Sequence, residues 1–400
     1  MADSQALSDL LVVDLSQGMA APLSTMLLAD FGATVVKVER PDQGEMGRQA
    51  GWQINGTSVW WYLLARNKHV ITLDLKKPRG QQLLLKLLDE ADVLVENMRP
   101  GKLEAMGLAP EKLWERNRGL VILRVTGWGQ DGPYAGQPTY GTQAEAMSGL
   151  AFGTGDRGGP PMLPSFTIAD PVTGYLSAFS MMVALWARER DPERRGQVID
   201  MSLFEALFGL LGPQASAYDK LGVVQGRIGS RSPFFAPRNI YRAQDGRYVA
   251  ISGGAQHIVR RFLNAIGRPE LIEDPRFSTP AARFQHADEL DDIMQDWIGQ
   301  HDSATVIATF NAADATVAPV YSIEDIFDDE HFRFREVITT VETAGAGTLK
   351  MQNAFPRLSR TPGQVRWAGR PPGADNDSWL KDKLGLSAED LDDLKRDGTI

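Results

Sequence analysis

Cysteine is absent from all 400 residues. That excludes disulfides, thiolate metal sites and a cysteine nucleophile. Histidine is scarce: the five residues His69, His257, His286, His301 and His331 are scattered. With no H-E-x-x-H helix and no Cys/His cluster, no catalytic metal is expected. No G-x-S-x-G elbow and no Walker A loop occurs, so the common hydrolase and phosphoryl-transfer signatures are missing. No stretch reaches eighteen consecutive apolar residues, so no membrane span is expected. The opening Met-Ala-Asp-Ser-Gln-Ala lacks the basic start and apolar core of a secretory leader. Positive charge is also in deficit. The net charge of −9 argues against a general nucleic-acid binder and for a soluble cytoplasmic protein.

Apolar residues make up 43% of the chain, ample for sizeable cores, and the length predicts two domains. Leu10 to Leu15 reads as a buried strand. Ala20 to Phe31 follows with helical spacing and stops at Gly32. Thr34 to Glu39 is the next strand. This strand–helix–strand opening predicts an α/β fold with a doubly wound, Rossmann-like sheet. The alternation continues through a strand at Val70 to Leu75, a helix at Gln81 to Glu90, a strand at Asp92 to Glu96, a helix from Pro110 to Asn117 and a strand at Val121 to Val125. Later come a short strand at Gln197 to Met201 and a long apolar helix from Leu203 to about Leu221. A Gly/Ser/Arg/Pro-rich connector spans Arg227 to Arg238. Asn239 to Ala243 and Tyr248 to Ser252 form a hairpin over Asp245-Gly246. Helices are expected at His257 to Ile266, Ala287 to Gly299, Ser303 to Asn311 and Ala388 to Arg396, the last capped by Ser387. Val317 to Val320, Leu349 to Met351 and Gln364 to Arg366 are expected strands.

The opening does not carry a dinucleotide fingerprint. Ser16-Gln17-Gly18-Met19-Ala20 follows the first strand with one glycine, too few for the turn, the pyrophosphate approach and the helix packing of G-x-G-x-x-G. Glu39 could meet a ribose hydroxyl, but Arg40 beside it suits a phosphate better. Arg40, Lys76, Asn97, Arg99 and Lys102 lie near strand ends, where open α/β sheets bind ligands. Together they suit a multiply phosphorylated nucleotide; singly, each is ordinary surface.

Asp170 draws attention because Asp170-Pro171 precedes a long apolar run. Locally it reads as a helix N-cap with Pro171 at the first helical position. Capping does not exclude chemistry, because a helix start stabilises an anion formed beside it.

Several blocks, taken in order, give these residues a context. VVDLSQGMAAPLSTMLLADFGATVVKVERPDQGEMGR, RNKHVITLDLKKPRGQQLLLKLLDEADVLVENMRPGKLEAMGL, VILRVTGWGQDGPY, the block around Asp170, RRGQVIDMSLFEAL, DGRYVAISGG and LNAIGRPELIEDPRF resemble the class III CoA-transferase (CaiB/BaiF) family over most of the chain. That family includes formyl-CoA transferase and the α-methylacyl-CoA racemases. The resemblance implies a Rossmann-like large domain from residues 1–200 and 326–400, a linker helix over 201–226, and a small α+β domain over 227–325. It also implies an interlocked homodimer. Coenzyme A and acyl-CoA are then substrates, with a small carboxylic acid as acceptor and no prosthetic group. Asp170 matches the catalytic aspartate. Arg40 matches a CoA-contacting arginine. Leu73, Lys76, Asn97 and Met98 match the nucleotide and pantetheine path. Met19 and Ala20 match residues near the thioester. Tyr140 stands where racemases of the family carry a histidine, and formyl-CoA-transferase-like members carry tyrosine. Ala105 replaces a basic residue of formyl-CoA transferase, so the resemblance leaves one phosphate contact either missing or moved to Lys102 or Arg99. Gly253-Gly254-Ala255-Gln256 is poorer in glycine than that enzyme's lid. CoA transfer through an aspartyl anhydride and an aspartyl-CoA thioester is the expected activity. A 2-methylacyl-CoA racemase and a non-catalytic acyl-CoA-binding dimer are the alternatives. The first needs a base opposite Asp170, which a phenol supplies poorly at neutral pH.

Overall fold

The computed structural model describes residues 5–400. Most of the opening hexapeptide examined for a leader lies outside them. The chain divides into two compact units, one of Met1–Leu150, Leu163–Ala215 and Arg333–Ile400, the other of Ala151–Met162 and Ser216–Phe332.

The larger unit is built on a sheet of six parallel strands. In chain order they are β1 (Leu11–Asp14), β2 (Thr34–Glu39), β3 (Lys68–Thr72), β4 (Val93–Glu96), β5 (Val121–Thr126) and β6 (Val198–Ser202). Their spatial order is β3-β2-β1-β4-β5-β6, and every neighbouring pair runs parallel. Parallel strands covered on both faces read as nearly unbroken apolar runs, which is why the sequence shows them clearly. Val13, Val36, Ile71, Leu94 and Ile122 face one core, filled by Leu83, Leu84, Leu87 and Leu88 of the helix Pro78–Leu88. Leu391 and Leu394, from the far end of the chain, complete that layer. Val12, Val35, Val93 and Leu123 face the other core, filled by α1 (Ala20–Asp30) and α2 (Ala169–Arg190).

Three expectations need correction here. The third strand begins at Lys68 and ends at Thr72, rather than spanning Val70 to Leu75. Lys68 enters the sheet interior because its ammonium donates to Asp14 (3.1 Å) and to the carbonyl of Pro22 (2.8 Å). The helix expected over Leu203 to Leu221 is broken into Leu203–Phe208, a 3-10 turn at Gly209–Leu211 and Gln214–Leu221. Gly212 stands at φ +62° and Pro213 follows, so no single linker helix spans 201–226. Gln364 to Arg366 forms no strand and joins no sheet. The Gln364 N–H donates to the Asp30 carbonyl (2.8 Å) and the Arg366 N–H to the Asn67 side chain (2.7 Å).

The smaller unit holds a three-stranded antiparallel sheet in the order Val317–Pro319, Tyr248–Ser252, Arg238–Arg242. Its hairpin turns at Asp245-Gly246, with Gly246 at φ +83°, a conformation glycine adopts without strain. The helices Gln256–Ala265, Ala287–Ile298 and Ser303–Ala312 cover one core with Phe262, Met294 and Phe310.

Candidate active site

In a doubly wound sheet the ligand crevice opens at the carboxyl ends of the strands, where the order reverses. Here that point lies between β1 and β4. Two loops leave side by side, Gln17–Met19 after β1 and Asn97–Arg99 after β4. The Asn97 carboxamide ties them: it accepts from the Gln17 N–H (2.9 Å) and donates to the Gln17 carbonyl (2.7 Å). Gly18, at φ +80°, donates its N–H to Glu45 (2.5 Å).

A cavity of about 800 Å³ lies over this point. Met19, Ala20, Asn97, Met98, Tyr140 and Asp170, all singled out from the sequence, line it. A second cavity of about 390 Å³ is lined by Arg40, Leu73 and Lys76, and shares Leu15, Gln17 and Met98 with the first. Neither Arg40 nor Lys76 has an ion-pair partner among the described residues, so both charges are available to an anion. Lys102 lines neither cavity. Ala105 lines the second. Glu39 is not open to a ribose: Arg48 grips it at 2.9 and 2.7 Å, and the Glu45 N–H donates to it. Arg99 lines the first cavity.

Asp170 sits in the first turn of α2, but the expectation that it caps the helix fails. Ile168 occupies the cap position, and the Asp170 side chain makes no hydrogen bond among the described residues. Glu145 does the capping from another helix, Gly141–Met147. Its Oε1 accepts from the N–H groups of Ile168 and Ala169, both at 3.2 Å. Glu145 is buried, whereas Asp170 is half-buried and faces the cavity. Burial first, and the negative charge of Glu145 second, push the Asp170 carboxyl up to about 6. Above that pH it is an anion with no donor blunting its lone pairs, which suits a nucleophile. Gly141 clears the space beside it: a Cβ there would stand 3.3 Å from Asp170 Oδ2. No local signal marks Glu145, because its partners lie more than twenty residues further along the chain.

Tyr140 is largely exposed at the start of the Gly141–Met147 helix, its N–H held by the Gln143 side chain (2.8 Å). No histidine is among the residues lining the cavity.

Together these features define a doubly wound α/β protein with one unbonded carboxylate facing a cleft and a cationic annex beside it. The chain belongs to CoA-transferase family III, whose model matches residues 7–376. It is 38% identical over 386 residues to the succinyl-CoA–D-citramalate CoA-transferase of Chloroflexus aurantiacus, covering 96% of each chain. It is 36% identical over 393 residues to the beta subunit of succinyl-CoA–L-malate CoA-transferase from the same organism, covering 97% of this chain and 96% of that one. Among solved structures, a CaiB/BaiF family protein from Brucella suis superposes with a TM-score of 0.83 at 28% identity, covering 95% of this chain and 99% of the other.

Proposed function

We propose that this protein moves coenzyme A from an acyl-CoA donor to a carboxylic acid acceptor through covalent intermediates on Asp170. The observation that carries the reading is the unbonded Asp170 carboxylate facing a cavity that shares Leu15, Gln17 and Met98 with the one lined by Arg40 and Lys76. An Asp170 oxygen attacks the thioester carbonyl; the C–S bond breaks, leaving a mixed anhydride and CoA thiolate. The thiolate attacks the aspartyl carbonyl and expels the donor acid as carboxylate, giving an aspartyl-CoA thioester. The acceptor carboxylate then attacks that thioester and releases the thiolate. The thiolate takes the acceptor's acyl group and restores Asp170. Splitting one exchange into these steps lowers the barrier of each. No net proton moves, and coenzyme A is substrate rather than resident cofactor.

Arg40 and Lys76 suit the nucleotide phosphates, and Leu73 and Met98 the path towards the thioester. Met19, Ala20 and Tyr140, which line the Asp170 cavity, suit the thioester end. Anchoring the remote nucleotide orients the reacting carbonyl, and good orientation is worth about 7–11 kcal/mol. Lys102 serves at most as an outer phosphate contact. The lack of a histidine in the cavity disfavours proton exchange at an α-carbon and so supports transfer over racemisation.

In this reading the chain works as a cytoplasmic interlocked homodimer. Leu176, Phe179, Val183 and Trp186 form an exposed apolar stripe along α2, of a kind that lone chains rarely leave open. The names of the two relatives above make succinyl-CoA the first donor to try. The test is Asp170→Ala, assayed with succinyl-CoA and a carboxylic acid panel that includes D-citramalate and L-malate. Transfer is abolished while CoA binding, read by calorimetry, is retained. Near-normal turnover would defeat the proposal.

A further inference from the structure

We propose that Glu145 is a positioning residue for this reaction: it occupies the N–H groups at the start of α2, leaving Asp170 unbonded with a fixed negative charge behind it. The inference rests on Asp170 being the nucleophile.

The geometry separates two jobs that one carboxylate usually combines. A helix start offers free N–H groups, and a carboxylate placed beside them accepts from them readily. Such bonds would stabilise the Asp170 anion and would have to be broken when it attacks. Here both the Ile168 and Ala169 N–H groups go to Glu145 Oε1 at 3.2 Å. The helix is capped, and Asp170 is not the residue that caps it. The charge of Glu145 also acts on the free carboxylate selectively. Asp170 is anionic only in the resting enzyme; in both the anhydride and the aspartyl-CoA thioester that charge is gone. Repulsion therefore disfavours the resting state relative to the covalent states, which is differential stabilisation in the useful direction.

The surroundings leave few competing charges. Among the residues lining the cavity, the titratable ones are Arg99, Tyr140, Glu145 and Asp170. Arg99 and Tyr140 bond neither carboxylate among the described residues. From α1 the lining residue is Ala20, and from Leu203–Phe208 it is Leu203; neither titrates.

The test compares Glu145→Gln, which keeps an oxygen acceptor but removes the charge, with Glu145→Ala, which removes both. The first readout needs no substrate. In the intact protein with 13C-labelled aspartate carboxyls, the Asp170 signal is assigned by its loss in Asp170→Asn. It titrates near 6 in the wild type and moves towards the ordinary carboxylate range in Glu145→Gln. The acid limb of the transfer rate moves to lower pH in the same variant. Glu145→Ala additionally loses about 10²-fold in kcat, because the helix start that carries Asp170 is no longer held. An Asp170 titration that does not move in Glu145→Gln overturns the inference. If that variant does not fold, a wild-type midpoint near 4, the value of an unperturbed carboxyl, overturns it. A dead Asp170→Ala with an unmoved Glu145→Gln sinks this inference alone; an active Asp170→Ala sinks the reading beneath it.

Discussion

The Asp170 carboxylate is held where ionisation is opposed by burial and by a neighbouring acid. Its folded pKa, about 6, lies above its unfolded value of about 3.8. The folded state therefore binds the proton more tightly. The resulting penalty is absent below the unfolded value and complete above the folded one. At pH 7 a neutral isostere is thus more stable. Asp170→Asn is expected to stabilise the fold by about 1–2 kcal/mol, read as a raised Tm, while transfer is lost. An unchanged or lowered Tm would show that the site is not strained electrostatically. The transfer rate should also decline as pH falls through about 6, where Asp170 takes up its proton. The residue scale is also where sequence reading reaches least far. Resemblance pointed to Asp170, Met19, Arg40 and Lys76, and the fold lines the two cavities with them. The cap was misread because Asp-Pro before an apolar run is a local signal, while the group that caps α2 comes from another helix.

Among the elements, α1 and α2 must cross closely for Ala20 and Asp170 to line the same cavity. Gly174 permits this: a Cβ there would stand 2.8 Å from the Ala20 carbonyl oxygen and 2.9 Å from Leu23 Cβ. Gly174→Ala gains about 1 kcal/mol of helix propensity, but the crowding forces the helices apart at a cost of about 1–3 kcal/mol. Net destabilisation with a fall in kcat is expected from chemical denaturation and steady-state kinetics. A more stable, fully active variant would show that the crossing has room to spare. The same scale explains which elements the sequence revealed. Buried parallel strands gave unbroken runs of Val, Ile and Leu. The hairpin strand Ile338–Thr343 went unseen beside its partner Gly347–Gln352, since only Val341 of the first strand is buried and the apolar signal is weak. The short helix Pro280–Gln285 was missed for a related reason: its one buried residue is Arg283, whose guanidinium is satisfied by the carbonyls of Ala236 and Phe277.

For the whole molecule, the α/β class followed from the alternation of strands and helices and the family from the quoted blocks, whereas the strand order came from the structure. How the chain is shared between units followed from neither the alternation nor the blocks. Residues 151–162 belong with the smaller unit although they lie far from it in sequence, held by the Arg227 bond to the Gly159 carbonyl (2.8 Å). Long-range polar contacts of this kind leave no periodic trace. The α2 stripe predicts a particle of twice the 44.0 kDa chain mass in sedimentation, persisting on dilution; a 44.0 kDa species throughout would refute the dimer.

Covalent chemistry on Asp170 is checked by mass spectrometry of a trapped intermediate. The protein is incubated with succinyl-CoA and quenched with hydroxylamine or borohydride, then digested and mapped. A hydroxamate or alcohol on the Asp170 side chain, formed only when the thioester is present, is the expected result. A modification at another acidic residue, with Asp170 recovered intact during productive turnover, would contradict it.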